Sequence, residues 1–263
     1  MRLLLTSDLH NDTSKLHWLL NDAPPNDGLL IAGDLLDLFS NTDFTVQKSG
    51  VLLWRQSVIN SGKSVAWSSG NHDFIGAASA IKCGASPLWM RENESSATCV
   101  NDGETRLLNA GKERIAVTTL PWPFHEGQLF VNGESTTFLD SVKGLLHAGK
   151  KLQAEQGVPW IILCHEPPGE TPLSAGYVAP EADFTRRLIE AAEPDFSVHG
   201  HIHEAPSFPG GSWIWQLGKT ICFNAGQSHR GEALHYILLD LRGEGNWTAT
   251  WHGDGPMQRA VSR

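Results

Sequence analysis

Asp, Asn and His residues gather in five short clusters, each directly after an apolar run: Asp8-Leu9-His10, Gly33-Asp34-Leu35-Leu36-Asp37, Gly70-Asn71-His72-Asp73, Cys164-His165-Glu166 and Gly200-His201-Ile202-His203. These residue types are the carboxylate, amide and imidazole donors of a metal site, with no thiolate pattern beside them. Singly, each cluster is weak evidence, because Asp8 or Asp34 after a strand can be a cap or turn residue and Asn71 an ordinary turn former. Jointly they are strong evidence, since carboxylates and imidazoles converging in one crevice would be costly to bury without an ion.

Asp8 and His10 are separated by one residue, so on extended chain both point the same way and can share one ion. His201 and His203 repeat that spacing, about 6.5 Å apart on extended chain. Two ions about 3.5 to 4 Å apart would let each of these histidines take a different one. The donor set suits two divalent transition-metal ions, Mn, Fe, Zn or Ni, better than a structural zinc site. Two dications met by only two anionic ligands, Asp8 and Asp34, keep net positive charge even with a bridging hydroxide. That charge favours a small anionic phosphoester, attacked in line by the hydroxide.

Loops that meet this way need strands whose carboxyl ends share an edge. Apolar runs at residues 2 to 6, 28 to 32, 64 to 67, 114 to 119, 159 to 164 and 195 to 199 read as buried strands. A helix that Thr13 or Ser14 can cap carries Leu16, Trp18, Leu19 and Leu20, and a second helical pattern runs from Phe44 to Asn60. The alternation implies parallel βαβ units. After His203, the segments Trp213 to Leu217, Thr220 to Asn224, Leu234 to Leu241 and Trp247 to Trp251 read as strands joined by Gly-containing turns, which suggests a largely antiparallel second sheet. The expected architecture is a four-layer αββα sandwich of two mixed β-sheets flanked by helices, as one domain over residues 1–263. Phe74 to Gly111 is the least regular stretch and a candidate rim, and Trp122 to His125 could add an aromatic wall, although large aromatics more often pack in cores. The other nine of the ten tryptophans read as core.

The net charge of -9 argues against extended contact with a nucleic-acid backbone, which needs clustered Lys and Arg. No apolar run is long enough to span a membrane, and no signal-peptide core precedes Asp8, so the cytoplasm is the default location. The four cysteines show no paired spacing; Cys164 and Cys222 lie in apolar runs and read as buried thiols. Nothing in the pattern speaks to oligomeric state.

The five blocks, in this order over residues 8 to 203, resemble the calcineurin-like metallophosphoesterase family, whose pattern is Asp-x-His, Gly-Asp-x-x-Asp, Gly-Asn-His-Asp/Glu, His and Gly-His-x-His. By that resemblance Asp8, His10 and His203 would bind one metal, Asp34 would bridge, and Asn71, His165 and His201 would bind the second. His72 would not ligate; it would protonate the leaving oxygen or stabilise its charge, with Asp37 orienting it, and Asn71 and His72 would face the substrate. His199 points into structure and Asp73 anchors its loop through backbone hydrogen bonds. Asn224 to Gln227 resembles the small-residue loop found near the site in this family.

Family members that dephosphorylate proteins carry an Arg shortly after the Gly-Asp-x-x-Asp block and another after Gly-Asn-His. Here those places hold Leu38-Phe39 and Phe74-Ile75, which favours a phosphodiesterase on small or nucleotide-like diesters, because a diester monoanion needs less cationic grip than a monoester dianion. Arg91, Arg186, Arg187 or Arg230 could supply that grip from elsewhere. The alternatives are a phosphomonoesterase or pyrophosphate-linkage hydrolase of the same fold and, ranked lower, a DNA repair nuclease or a non-catalytic scaffold, which should lack ligands or His72.

Overall fold

The computed structural model describes residues 1–74, 87–91, 96–122, 134–176, 180–228, 233–243 and 245–262, with the side chains of 134–139, 180 and 181 set aside. Strand β1 (Arg2–Thr6) begins the chain and alternates strictly: Leu3 and Leu5 face one apolar cluster and Leu4 faces another. It is therefore buried on both faces, as a central strand of a covered sheet must be. Helix α1 (Thr13–Asn21) returns the chain to β2 (Gly28–Ala32), and α2 (Phe44–Asn60) to β3 (Ser64–Ser68). These strands pair in parallel. The cap of α1 is Asp12, one residue earlier than the sequence suggested; its carboxylate accepts the amides of Ser14 and Lys15 at 2.9 and 3.2 Å.

The stretch read as irregular contains a two-residue strand β4 (Cys99–Val100) and the strand β5 (Thr105–Ala110), which turns at Gly111 into β6 (Glu113–Thr119). Leu107 and Leu108 are adjacent in β5, so its alternation is blurred. Helix α3 (Glu134–Gln156), β7 (Trp160–Leu163), α4 (Pro180–Ala192) and β8 (Phe196–His199) complete a second run of parallel strands.

The C-terminal strands correct the expectation of a separate, largely antiparallel sheet. Strands β9 (Ile214–Leu217) and β10 (Thr220–Asn224) form a hairpin that joins β8, with β10 parallel to it. Strands β11 (Tyr236–Leu241), β12 (Trp247–His252) and β13 (Gln258–Val261) add as an antiparallel meander to β1. The result is a seven-stranded sheet, β13-β12-β11-β1-β2-β3-β4, facing a six-stranded sheet, β5-β6-β7-β8-β10-β9. The division follows burial. Ile237, Leu239 and Leu241 of β11 enter the same inter-sheet cluster as Leu3 and Leu5, so β11 closes the free side of β1. Outside the two sheets, α1 and α2 cover one with Leu16, Leu19, Val51, Trp54 and Val58, while α3 and α4 cover the other with Val142, Leu188 and Ile189. This is the expected αββα sandwich of two mixed sheets. Among the described residues no helix is long and apolar enough to cross a membrane. Cys164 and Cys222 are buried free thiols, as their apolar runs indicated. Trp215, on the edge strand β9, departs from the expected core placement and is exposed.

Trp251 ties this scaffold to the loops. It is buried between the sheets, and its indole nitrogen donates to the carbonyl of Ala225 at 2.8 Å, in the loop that follows β10. Trp251→Ala should cost about 3 to 5 kcal/mol in urea unfolding, whereas Trp251→Phe, which loses the hydrogen bond but keeps an aromatic ring, should cost clearly less; equal losses would assign the stability to the hydrogen bond.

Candidate metal centre

The loops after β1, β2, β3, β7, β8 and β10 leave the same edge of the sandwich. The first two are laced together by backbone hydrogen bonds: the amides of Asp8, His10 and Asn11 donate to the carbonyls of Gly33, Asp34 and Leu35 at 3.0, 2.9 and 2.8 Å. The extended geometry expected for Asp8-Leu9-His10 and His201-Ile202-His203 does not hold. Asp8, His10, Asp34 and His201 all have left-handed backbone, with φ of 54, 46, 52 and 65°. The loops curl, and curling rather than strand alternation turns their side chains into one crevice. Left-handed backbone costs an L-residue on the order of 1–2 kcal/mol, and four such residues at one place mark a site where side-chain aim is worth that strain.

Three glycines make the convergence sterically possible. A Cβ on Gly33 would strike the imidazole of His165, one on Gly70 the carboxylate of Asp34, and one on Gly200 the carboxylate of Asp8. Each glycine precedes one candidate donor and leaves room for a donor from another loop.

The donors form two groups joined by both carboxylates, since Asp8 Oδ1 also lies 3.8 Å from His165 Nε2. In the first, Nε2 of His203 lies 3.1 Å from Asp8 Oδ1 and 3.2 Å from Nε2 of His10. In the second, Asn71 Oδ1 lies 3.2 Å from His165 Nε2 and 3.0 Å from His201 Nδ1. Asp34 Oδ2 reaches both, at 3.9 Å from His10 Nε2 and 3.2 Å from His165 Nε2. Asp8-His10-His203, Asp8-Asp34-His165 and His10-Asp34-His72 each bring three donor atoms within 4.8 Å of one another. An all-nitrogen-and-oxygen donor set at these separations can hold divalent metal ions. The seven candidate ligands named from the sequence are thus brought together.

Asp8 and Asp34 are buried, at 0% and 2% exposure. Burial works against their ionisation, but His203, His165 and His10 hold Asp8 below the usual carboxylate range, and His165 does the same for Asp34. His165 answers in kind: burial opposes its charge, yet the two carboxylates push it up to about 10. Burial and the His165 charge push His201 down to about 4. Positive charge on His165 and His203 favours the ionised carboxylates here, and a cation bound among them would take over that role and displace protons from the imidazoles.

His72 is buried beside these groups, with its ring centroid 4.5 Å from that of His10. Its Nδ1 accepts the backbone N–H of Leu38 at 3.1 Å, whereas Asp37 Oδ1 stands at 3.7 Å. The Asp37 carboxylate accepts the amide of Phe39 at 2.9 Å. A backbone amide can only donate, so Nδ1 is the bare nitrogen and Nε2 carries the proton. Gln47 of α2, buried at 1%, pins this loop: its Oε1 accepts the Asp37 amide at 2.9 Å, and its Nε2 donates to the carbonyls of Asp37 and Thr42 at 3.1 and 2.8 Å.

Other residues fall where the sequence placed them. Asp73 Oδ1 accepts the amides of Leu35 and Leu36, and its Oδ2 that of Gly70. His199 is buried away from the crevice, between the carbonyls of Cys164 and Glu166 and the hydroxyl of Ser197. Trp122 is buried, as core packing requires, with its ring centroid 5.3 Å from that of His165 and 5.1 Å from that of His201. Pro123 to His125, Arg230 and residues 75–86 and 92–95 of the candidate rim lie outside the described residues.

Other side chains of the site were given no role by the sequence pattern. Lys15 and Phe39 line the crevice of about 510 Å³ together with Gln227, whose loop the pattern marks but whose side chain it does not. Glu166 is buried with Oε2 at 3.7 Å from His201 Nε2, and Gln47 acts at one remove. Lys15 does carry a signal, since it shares a helix face with Leu19 four residues on; Gln47 carries none.

Comparison with known proteins follows the same line. A family model described as calcineurin-like phosphoesterase matches residues 1–205. No curated protein matches the chain. Among solved structures, TT1561 of Thermus thermophilus has 15% identity and a TM-score of 0.56, with 100% of this chain and 99% of that chain covered. GAP50, described as the anchor in the inner membrane complex of Plasmodium, has 8% identity and a TM-score of 0.55, with 100% of this chain and 89% of that one covered. At these identities the likeness is one of fold.

Asp73 generates the prediction for this region. Removing its carboxylate in Asp73→Ala strands three buried amides, so unfolding free energy should fall by roughly 3 kcal/mol or more. Asp73→Asn, which keeps one acceptor oxygen, should fall between the two in thermal melts; native-like stability for Asp73→Ala would remove the clamp role.

Proposed function

This chain belongs to the calcineurin-like phosphoesterase family, a family of phosphoric ester hydrolases, and from that premise we propose that it hydrolyses small, nucleotide-like phosphodiesters with two divalent metal ions. The observation that carries the reading is Asp34 Oδ2, a single oxygen facing imidazole nitrogens of both donor groups. Asp8, His10 and His203 would hold one ion, Asn71, His165 and His201 the other, and Asp34 both. Bound there, two dications would polarise the phosphoryl oxygens and lower the pKa of the attacking water.

The chain's own residues do the rest. His72, with Nδ1 turned to the Leu38 amide, presents Nε2–H to the crevice. That tautomer is a hydrogen-bond donor, which suits the reading in which His72 stabilises charge on the leaving oxygen. To act instead as proton donor it would need Nδ1 protonated, and Asp37 would have to take the place of the Leu38 amide. Phe39, exposed at 86%, lines the crevice with its ring centroid 5.3 Å from that of His72. It offers a flat apolar surface beside the leaving group, as a nucleobase or another aromatic leaving group would use.

The preference for a diester rests on the cations. No arginine lines the crevice among the described residues. Arg186 is engaged by Glu170 and Glu190, and Arg187 by Asp183. A monoester dianion would thus find no bidentate arginine grip among these residues. The same argument ranks the phosphomonoesterase and pyrophosphate-linkage readings second, and the complete donor set ranks a non-catalytic scaffold below them.

With Mn loaded, turnover of bis-p-nitrophenyl phosphate should exceed that of p-nitrophenyl phosphate. A clear monoester preference would sink the diester reading, and inactivity on both would favour the scaffold. Two variants test the roles. His72→Ala should keep both ions by metal analysis while turnover falls by roughly two to four orders of magnitude. Asp34→Asn should lose affinity for both ions together, and retention of two tightly bound ions would move the bridge elsewhere.

A further inference from the structure

Lys15 is a buried cation to which the proposed chemistry assigns no task. It is 8% exposed on the face of α1 that also buries Leu16 and Leu19, yet it lines the crevice beside Asp12, Gln227 and Ser228. Its Nζ donates to Gln227 Oε1 at 3.3 Å, a long bond, and among the described residues that is its side-chain hydrogen bond. Gln227 is itself held in place, because the two N–H groups of its Nε2 are shared among Thr6 Oγ1, the Ser7 carbonyl and the His235 carbonyl, at 3.2, 3.1 and 3.0 Å. The acceptor is fixed and the ammonium is drawn up to it.

An ammonium has three donors, and burying it with so little compensation is costly. Burial lowers the Lys15 pKa against the opposing charges of Asp12, Asp8 and Asp254. Asp12 is already occupied in capping α1, and Asp254 faces His235 Nε2 at 3.2 Å. Two dications held by only two carboxylates would raise the cost further, since a third positive centre nearby is repelled by their uncompensated charge. A ligand with more than one negative charge removes both penalties.

The sheet order gives that ligand a direction. Strands run β11-β1-β2-β3. Lys15 and Gln227 stand at the β11/β1 end, while Phe39 and His72 come from the β2 and β3 loops at the other end. We propose that Lys15 forms a second anion subsite at the β11/β1 end of the crevice, and that the substrate carries a further phosphate group there beside the ester that is cut. The inference rests on the proposed reading of the crevice as a two-metal phosphoester site.

Calorimetric titration of the metal-loaded full chain with adenosine 5′-phosphate, adenosine 5′-diphosphate and adenosine 3′,5′-bisphosphate tests it. At least one two-phosphate ligand should bind about tenfold or more tighter than the monophosphate, as a charge-assisted hydrogen bond allows. In Lys15→Met that ratio should collapse to about one, and in Lys15→Arg most of it should return. A native ratio near one, or a ratio that survives in Lys15→Met, overturns the subsite. Should Lys15→Met melt early or lose metal, Lys15→Gln replaces it under the same criterion. The two readings fail separately: no turnover of either p-nitrophenyl ester with a collapsing ratio sinks the hydrolase reading alone, and turnover of the diester with a surviving ratio sinks the subsite alone.

Discussion

Asp8 and Asp34 are carboxylates with almost no access to water, and beyond the neighbouring Ser7 hydroxyl that donates to Asp8 Oδ2 their compensation comes from groups distant in the chain. Burying an ionised carboxylate costs several kcal/mol even after relaxation, unless opposite charge and hydrogen bonds surround it. Asp8 Oδ1 receives the backbone amide of His201 at 3.1 Å, and Asp34 Oδ1 that of His72 at 2.8 Å. The imidazoles of His165 and His203 provide the charge. These partners are far apart in sequence, so the carboxylates can be satisfied only where several strand ends converge. Parallel strands in two facing sheets provide such an edge, and the glycines at 33, 70 and 200 let the loops close on it.

A second set of contacts makes that edge rigid without touching a ligand. Asp73 binds three amides of two loops, and Gln47 reaches from α2 to fix the loop that carries Asp37 and Leu38. The consequence is chemical as well as mechanical. Because the Leu38 amide is held where it donates to His72 Nδ1, the proton on this imidazole is directed into the crevice. A helix-borne glutamine thus acts on the tautomer of a histidine it does not contact, and Phe39 is set beside the same ring as the next residue of the pinned loop.

What the sequence disclosed follows from how local each feature is. Strands such as Leu3 to Leu5 or Leu29 to Ile31 are buried on both faces and show as unbroken apolar runs, and the donor clusters sit next to them in the chain. The αββα layering and the convergence of the candidate ligands were legible for that reason. The partition of β9 to β13 between two sheets was not, since nothing local tells β11 that its free neighbour is β1; inter-sheet packing of Ile237 and Leu239 decides it. Nor could spacing reveal that Asp8, His10, Asp34 and His201 adopt left-handed backbone. The x-by-two spacing suggested extended chain, and the tertiary demand for convergence overrode it. Lys15 was legible in principle, as a lysine in line with Leu19 on a buried helix face, but only the crevice beside it gives that placement a meaning.

The crevice is therefore unequal from end to end, and the inequality bears on how a substrate lies in it. At the β11/β1 end stands a fixed ammonium on a rigid amide; at the β2/β3 end stand an exposed aromatic ring and an N–H donor. A ligand that is anionic at one terminus and flat and apolar at the other matches both ends in one orientation only. The reverse orientation would forgo the apolar contact with Phe39 and leave the buried ammonium without its anion, which carries a desolvation penalty. On the proposed reading, such polarity would set which ester oxygen faces His72, so that charge at a distance from the metal site would help choose the bond to be cleaved.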